Sequence, residues 1–136
     1  MTEELKTSLA SESENLQKQI NTLLEQEKFA ISDIVSTYYQ AMNVKSMIDV
    51  LKNNSENTQN ILDYEKIIKE NFNSSLHPKI LSYLHDTVSE YMNTLKENKT
   101  KQRTKDIIEN EAKIYEELRQ FMSTKEFVEQ YDKGMI

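Results

Sequence analysis

The chain has 136 residues, of which 37% are hydrophobic and 29% are charged, and this length is enough for one domain with a buried core. It contains no cysteine, which excludes disulfides and thiolate metal sites. Its formal net charge of −6 argues against a nucleic-acid partner, because nucleic-acid binders usually carry a dominant basic face.

Glycine and proline are almost absent. The chain has one of each, Gly134 and Pro78, where average usage would give about 10 and 7. Glycine supplies positive φ in tight turns, and proline fixes turns and stops helices. A fold with many strands and turns is therefore hard to build, and the composition predicts an all-α protein with long helices and Asn/Ser loops.

The N-terminal residues Met1 to Lys6 are polar and acidic, so we expect no secretory signal peptide. No apolar run approaches the ~20 residues that a membrane-spanning helix needs. We therefore expect a soluble, cytoplasmic protein with no membrane span.

The first element in chain order is a heptad pattern between residues 9 and 51. Two sets of positions alternate by four and three residues, which is the spacing of a helix that packs along one stripe. The pattern predicts one long helix over residues 2–52, although Glu27 interrupts the stripe and a break near Phe29–Ser32 is an alternative. The seam sites are Leu9, Ser13, Leu16, Ile20, Leu23, Glu27, Ala30, Ile34, Thr37, Ala41, Val44, Ile48 and Leu51.

An Asn-rich loop at 53–57 and a second polar loop at 73–78 bracket a predicted short helix over residues 58–72. Pro78 suits the first turn of the next helix, where its missing N–H costs nothing. That helix is predicted over residues 78–122. It crosses a stretch from Lys96 to Asp106 without any apolar residue, so a loop at about 98–105 is the alternative.

Ser123 and Glu126 form a capping-box pattern, which predicts a separate short helix over residues 124–133. Gly134 stands where a C-terminal cap belongs. Together these elements predict a single domain over residues 1–136. Its architecture would be an elongated bundle of three to four helices, in which the 2–52 and 78–122 helices form a long antiparallel coiled-coil-like hairpin.

Motifs for enzymatic chemistry are missing from the sequence. Phosphate-binding loops and nucleophile elbows need several glycines, and cysteine nucleophiles are absent. His77 and His85 are eight residues apart, and neither has a glutamate three residues before it, so zinc and di-iron helix motifs do not fit. We therefore expect a protein that is not an enzyme, with no catalytic residue, metal site, cofactor or small-molecule substrate.

One local charge anomaly remains, a run of positive side chains between residues 96 and 105. Such a run could contact a phosphate-bearing ligand, an anionic membrane surface or an acidic partner, although a solvated helix or hinge is the favoured explanation. The candidate anion-contacting residues are Lys99, Lys101, Arg103 and Lys105.

Tyrosine and methionine are common at protein interfaces, although the same residues at helical spacing also form ordinary cores. Two adjacent tyrosines cannot both face one seam, so one of them is available to a partner. The candidate partner-binding residues are Tyr38, Tyr39, Met42, Met47, Phe127, Val128 and Tyr131.

These observations favour a function in protein–protein interaction. The first hypothesis is a helical scaffold or adaptor subunit that associates with itself or with another protein through its amphipathic helices. The alternative is a small helical protein that binds one client, such as a secretion chaperone, an inhibitor or an antitoxin-like protein. A nucleic-acid binder and a small enzyme are less favoured by the sequence.

Overall fold

The computed structural model describes residues 2–54 and 59–134. Every regular element within these ranges is helical, so the predicted all-α fold class is confirmed. The predicted loop at 53–57 and the predicted helix start at residue 58 lie largely outside the described residues. The elements are α1 (Thr2–Leu24), α2 (Ile31–Asn53), α3 (Gln59–Lys66), a π-helical segment (Ile67–Leu76), α4 (His77–Lys99) and α5 (Lys105–Asp132).

The helices divide into two compact units, Met1–Ile80 and Leu81–Ile136. The boundary falls inside α4, because this helix runs from His77 to Lys99. The single-domain organisation of residues 1–136 stays a prediction, and the two units are described separately below. The finer prediction of a hairpin between residues 2–52 and 78–122 is not confirmed.

In the first unit, the prediction of one helix over residues 2–52 is wrong, because the chain turns between α1 and α2. The turn lies at residues 25–30, close to the alternative break, and both seam sites within it, Glu27 and Ala30, are exposed. Glu27 would place a charge in the apolar stripe, which is costly to bury. Turning at this point lets the two halves of the stripe bury each other.

The α1–α2 hairpin is antiparallel. Gln19, late in α1, donates a hydrogen bond to the Ser36 hydroxyl early in α2, and Gln40 donates to the Glu12 carboxylate at 2.6 Å, so residues farther back in α1 meet residues farther along α2. All the heptad sites outside the turn are at most 4% exposed. The core that the heptad predicted is therefore real, but it is closed within one unit of one chain.

Residues from the start of α4 pack against the turn end of this hairpin. Lys79 donates a hydrogen bond of 2.6 Å to the carbonyl of Leu24, the last residue of α1. A cation at this position also complements the negative end of the helix dipole. The same ammonium lies 5.6 Å from the ring centroid of Phe29, which is only 4% exposed in the turn.

The predicted loop at 73–78 is wrong, because α3, the π-helical segment and α4 follow one another without a break. Proline within a helix removes one hydrogen bond and clashes with the carbonyl four residues earlier, and a wider turn before Pro78 relieves that clash. The Ser74 and Ser75 hydroxyls donate to carbonyls five residues back, at 2.8 and 2.9 Å, and so satisfy groups in the widened turns. The serines that suggested a loop therefore support a helix.

In the second unit, the prediction of one helix over residues 78–122 is wrong, and the alternative loop is observed at residues 100–104. Thr104 adopts an extended conformation, and its side chain accepts a hydrogen bond from the backbone N–H of Ile107, which is the geometry of an N-cap. The segment before Thr104 has no apolar side chain to bury, so a turn there removes little apolar packing from the core. The turn brings Leu95 of α4 into one cluster with Ile114 and Leu118 of α5.

The separate C-terminal helix at 124–133 is also wrong, because α5 continues through the capping-box pattern to Asp132. The Thr124 hydroxyl donates 2.8 Å to the carbonyl of Gln120, four residues earlier, which satisfies it without a helix end. Lys125 and Glu129 form an ion pair of 3.1 Å across the same turn. Gly134 has a φ of 68°, the left-handed conformation expected after a helix.

Two neighbouring leucines test the seam assignment. Leu23 is 3% exposed and Leu24 is 36% exposed, although both lie in the last turn of α1. Truncating a buried leucine removes transfer energy and leaves a cavity, so we expect Leu23→Ala to lower the free energy of unfolding by about 2–5 kcal/mol. Leu24→Ala is the matched control and should cost about 1 kcal/mol or less. Urea unfolding followed by circular dichroism measures both, and equal losses would contradict the seam assignment.

Candidate protein-binding surface

Helix α5 carries two apolar stripes, and the inner stripe packs against α4. Ile114 and Leu118 are 7% and 8% exposed and cluster with Leu95. Val88 and Tyr91 of α4 are partly buried against the same cluster. This contact satisfies one face of α5 within the second unit.

The outer stripe consists of Ile108, Tyr115 and Met122, and this set is called the α5 outer stripe from here on. These side chains are 51%, 51% and 52% exposed. Residues seven apart lie on nearly one face of a helix, because seven residues make about two turns. The three side chains therefore lie in line along α5, and large apolar side chains in line on an exposed face are typical of an interaction surface.

Met92 of α4 extends this apolar surface. It is 51% exposed and lies next to Tyr91, which faces the α4–α5 contact. Tyr115 likewise directly follows Ile114, which faces the same contact from α5. The two helices are antiparallel, since Tyr91 bonds Glu117 and Tyr83 packs on Phe121. Met92 and Tyr115 each follow a contact residue by one position, which turns both side chains away from the contact by the same angle. In an antiparallel pair this places them on the same side of the hairpin.

Charged residues border the α5 outer stripe. Arg119, Met122 and Glu126 line a shallow groove together with Tyr115. Arg119 pairs with Glu116 at 3.3 Å, and Lys105 at the helix start lies 4.0 Å from Glu109. On this face, Lys105 stands near the N-terminal end of the stripe and Glu126 near its C-terminal end.

The sequence contains a signal for this surface. Adjacent apolar pairs recur every seven residues in α5, at Ile107–Ile108, Ile114–Tyr115 and Phe121–Met122. A single packing seam needs only one member of each pair, so the repeated pair indicates a helix that is apolar on two faces.

The predicted partner-binding residues differ in how exposed their side chains are. Tyr38 and Val128 are fully buried at 0% exposure, which removes them from any partner-binding surface of this structure. Tyr39, the neighbour of Tyr38, is 57% exposed, as expected if only one of the two tyrosines faces the core. The remaining candidates are partly buried, and they are Met42, Met47, Phe127 and Tyr131.

Tyr38 instead belongs to a buried polar contact with His77. The Tyr38 hydroxyl hydrogen-bonds to Nδ1 of His77, which is 4% exposed. Phe72 packs edge-on against Tyr38 at 4.9 Å between centroids and stacks with His77 at 6.2 Å. These contacts give His77 a role in the packing of the first unit, whereas His85 is exposed.

The predicted anion-contacting residues lie around the α4–α5 turn. Lys99, Lys101 and Lys105 are exposed, but Arg103 forms a two-pronged ion pair with the Glu111 carboxylate. Hydrogen bonding by Arg103 holds the pKa of Glu111 below its usual value. Arg103 is thus already paired, and acidic residues lie nearby at the start of α5. Both facts weaken the case for an anion site.

A polar contact joins α4 to α5. The Tyr91 hydroxyl donates a hydrogen bond of 2.5 Å to the Glu117 carboxylate. Ionising the phenol would remove this donor and place two negative charges together. The bond to Glu117, followed by burial, therefore raises the pKa of Tyr91 to about 12.

Within residues 2–54 and 59–134, no three His, Cys, Asp or Glu side chains are grouped so that they could hold a metal ion. None of the helices in these ranges is both long and apolar enough to cross a membrane. No protein-family model matches this chain, and comparisons with curated proteins and with solved structures found no match.

The buried Tyr38–His77 bond has a measurable effect on stability. Tyr38→Phe keeps the ring and removes the hydroxyl, which leaves Nδ1 of a buried histidine without this partner. Because an unmade buried hydrogen bond costs about 1–3 kcal/mol, we expect that loss in the free energy of unfolding. Tyr115→Phe, at a tyrosine that is 51% exposed, is the control and should change it by less than about 0.5 kcal/mol. A neutral Tyr38→Phe would contradict the contact.

The Arg103–Glu111 pair predicts a pH dependence. Because the pKa of Glu111 is lowered in the folded chain, ionised Glu111 stabilises the fold above the unfolded value of about 4.3. That contribution is lost as the pH falls through the lowered pKa. We therefore expect Glu111→Gln to be less stable than wild type near pH 7, with the difference shrinking below about pH 4. A difference independent of pH between 3 and 7, measured by urea unfolding, would rule out the ion pair as its cause.

Proposed function

We propose that this protein is a non-enzymatic, helical protein-interaction subunit that works as a scaffold or adaptor and binds its partner through the α5 outer stripe. The observation that carries the proposal is the half-exposed line of Ile108, Tyr115 and Met122 on a helix whose other face is already packed. Their exposure leaves apolar area that a partner could remove from water, which is favourable by about 25 cal/mol per Å².

The α5 outer stripe is a different surface from the heptad at 9–51, which is the longest amphipathic pattern in the sequence. Leu16, Ile20 and Ile34 of that heptad are 0% exposed inside the α1–α2 hairpin, so a partner could reach them only by opening the hairpin. Opening it would expose many side chains, each of which contributes about 1.5–3 kcal/mol when buried. The α5 outer stripe needs no such rearrangement.

The absence of catalysis in this proposal is supported by the sequence and by the setting of the histidines. The chain has a single glycine and no cysteine, so phosphate-binding loops and thiol chemistry have no residues to use. His77 is buried against Tyr38 and Phe72 and belongs to the packing of the first unit.

The client-binding protein remains the second candidate. One observation favours it over a permanent scaffold, since the longest apolar seam of the chain is satisfied internally and the α5 outer stripe that we propose for association is short. A short, one-helix-wide surface is typical of small and reversible interfaces.

A photo-crosslinking amino acid at position 115 tests the proposal in the cells that make the protein. We expect a discrete protein adduct from position 115 and none from Lys113, an exposed residue on a different face of α5. Adding Ile108→Lys to the same chain should abolish the adduct, because it places a charge in the stripe. An adduct that survives Ile108→Lys, or no adduct at position 115, would overturn the proposal.

A further inference from the structure

We infer that the partner of the α5 outer stripe is a second copy of the same chain, packed antiparallel about a twofold axis that passes beside Tyr115. This inference rests on the proposed function and names its partner. It is carried by the symmetry of the stripe and by the charges at its two ends.

The apolar residues of the stripe are placed symmetrically about Tyr115. Ile108 lies seven residues before it and Met122 lies seven residues after it. In an antiparallel pair centred on Tyr115, Ile108 of each copy therefore meets Met122 of the other, and the two Tyr115 rings meet at the axis. Such a surface is complementary to itself, which is the requirement for a twofold interface.

The charges near the two ends of the α5 outer stripe favour an antiparallel pair over a parallel one. Lys105 lies ten residues before Tyr115 and Glu126 lies eleven after it, and both are exposed. The antiparallel arrangement brings Lys105 of one copy near Glu126 of its partner, twice by symmetry. A parallel arrangement would instead place Lys105 beside its own copy and Glu126 beside its own copy, and like charges across an interface oppose binding.

A small residue on this face lets the two copies of α5 pack close together. Ala112 lies between Ile108 and Tyr115 on the same exposed side of α5, and it is exposed. A short side chain there lets the two helices come close, as small residues do at many helix contacts. Met92 of α4 lies on the same side of the hairpin and can add to the apolar contact.

The size of the stripe sets the expected strength. From residue 108 to residue 122 it spans about 21 Å at 1.5 Å per residue, and it is one helix wide. Such an area is at the small end of specific interfaces. We therefore expect a dimer that dissociates on dilution rather than a permanent one.

Cysteine crosslinking tests the geometry directly, because the chain has no cysteine of its own. With a short bismaleimide, purified Tyr115→Cys should give a covalent dimer, whereas Lys113→Cys should not. A mixture of Ile108→Cys and Met122→Cys should crosslink, although each variant alone should not. Crosslinking of Ile108→Cys with itself would establish a parallel arrangement and overturn the inference.

Charge reversal gives a test that does not alter the apolar stripe. Lys105→Glu and Glu126→Lys should each weaken the dimer about tenfold in Kd by sedimentation, and the double variant should restore it to within about threefold. Lys113→Glu, the control on another face of α5, should leave Kd unchanged. Failure of the double variant to recover would overturn the pairing.

The two proposals can fail separately. A purified chain that stays monomeric and does not crosslink through position 115, while the photo-adduct in cells contains a different protein, would overturn the self-association and keep the proposed function. Loss of the photo-adduct as well would remove both.

Discussion

Leu16 and Ile20 of α1 are buried without any exposed area, and so are Ile34 and Val44 of α2. This single apolar contact determines the arrangement of the first unit, because an unbroken helix would leave the same stripe in water. Burying each of these side chains contributes about 1.5–3 kcal/mol, which outweighs the loss of a few helical hydrogen bonds of about 1 kcal/mol each in the turn. The turn at residues 25–30, the Lys79 contact with the end of α1 and the burial of Phe29 all serve this closure.

Because the heptad closes on itself, the association surface that we propose lies in another part of the chain. In the second unit, α5 uses Ile114 and Leu118 against α4 and keeps the α5 outer stripe exposed. A helix that is apolar on two faces has more apolar surface than a two-helix hairpin can bury. The functional proposal follows from this surplus rather than from the longest apolar pattern in the sequence.

Much of the core could be predicted from the sequence, because burial follows helical periodicity. The heptad sites Leu9, Ser13 and Leu51 are all at most 1% exposed, as their spacing indicates. The ends of helices were predicted less well, since they depend on contacts between distant residues. Glu27 marks a possible break near the turn at 25–30, but the choice between this turn and one long helix depends on the packing of α1 against α2.

The errors at polar segments have a common cause. Asn and Ser next to Pro78 suggested a loop, but the Ser74 and Ser75 hydroxyls can also bond carbonyls one wide turn back, and the helix continues. Ser123 and Glu126 suggested a helix start, but Thr124 bonds to the helix that is already there. Hydroxyl side chains suit both outcomes, because they accept from backbone N–H groups at a helix start and donate to carbonyls within a helix, so the packing on each side decides between the two.

The candidate surface was only partly predictable. The preference for Tyr38 or Tyr39 could not be decided from local sequence, because it depends on whether Phe72 and His77 reach Tyr38 from the π-helical segment and the start of α4. The α5 outer stripe, by contrast, was present in the sequence as apolar pairs seven residues apart. A search for a single packing seam does not separate the buried member of each pair from the exposed one.

The absolute mass in solution, measured by light scattering over a concentration series, tests most directly that two copies of the chain associate through the α5 outer stripe. We expect a mass that rises from the 16.0 kDa of one chain toward twice that value as the wild-type protein is concentrated. In Tyr115→Lys, the mass should stay at that of one chain throughout. A wild-type protein that remains monomeric at every concentration, or a dimer that Tyr115→Lys leaves intact, would contradict it.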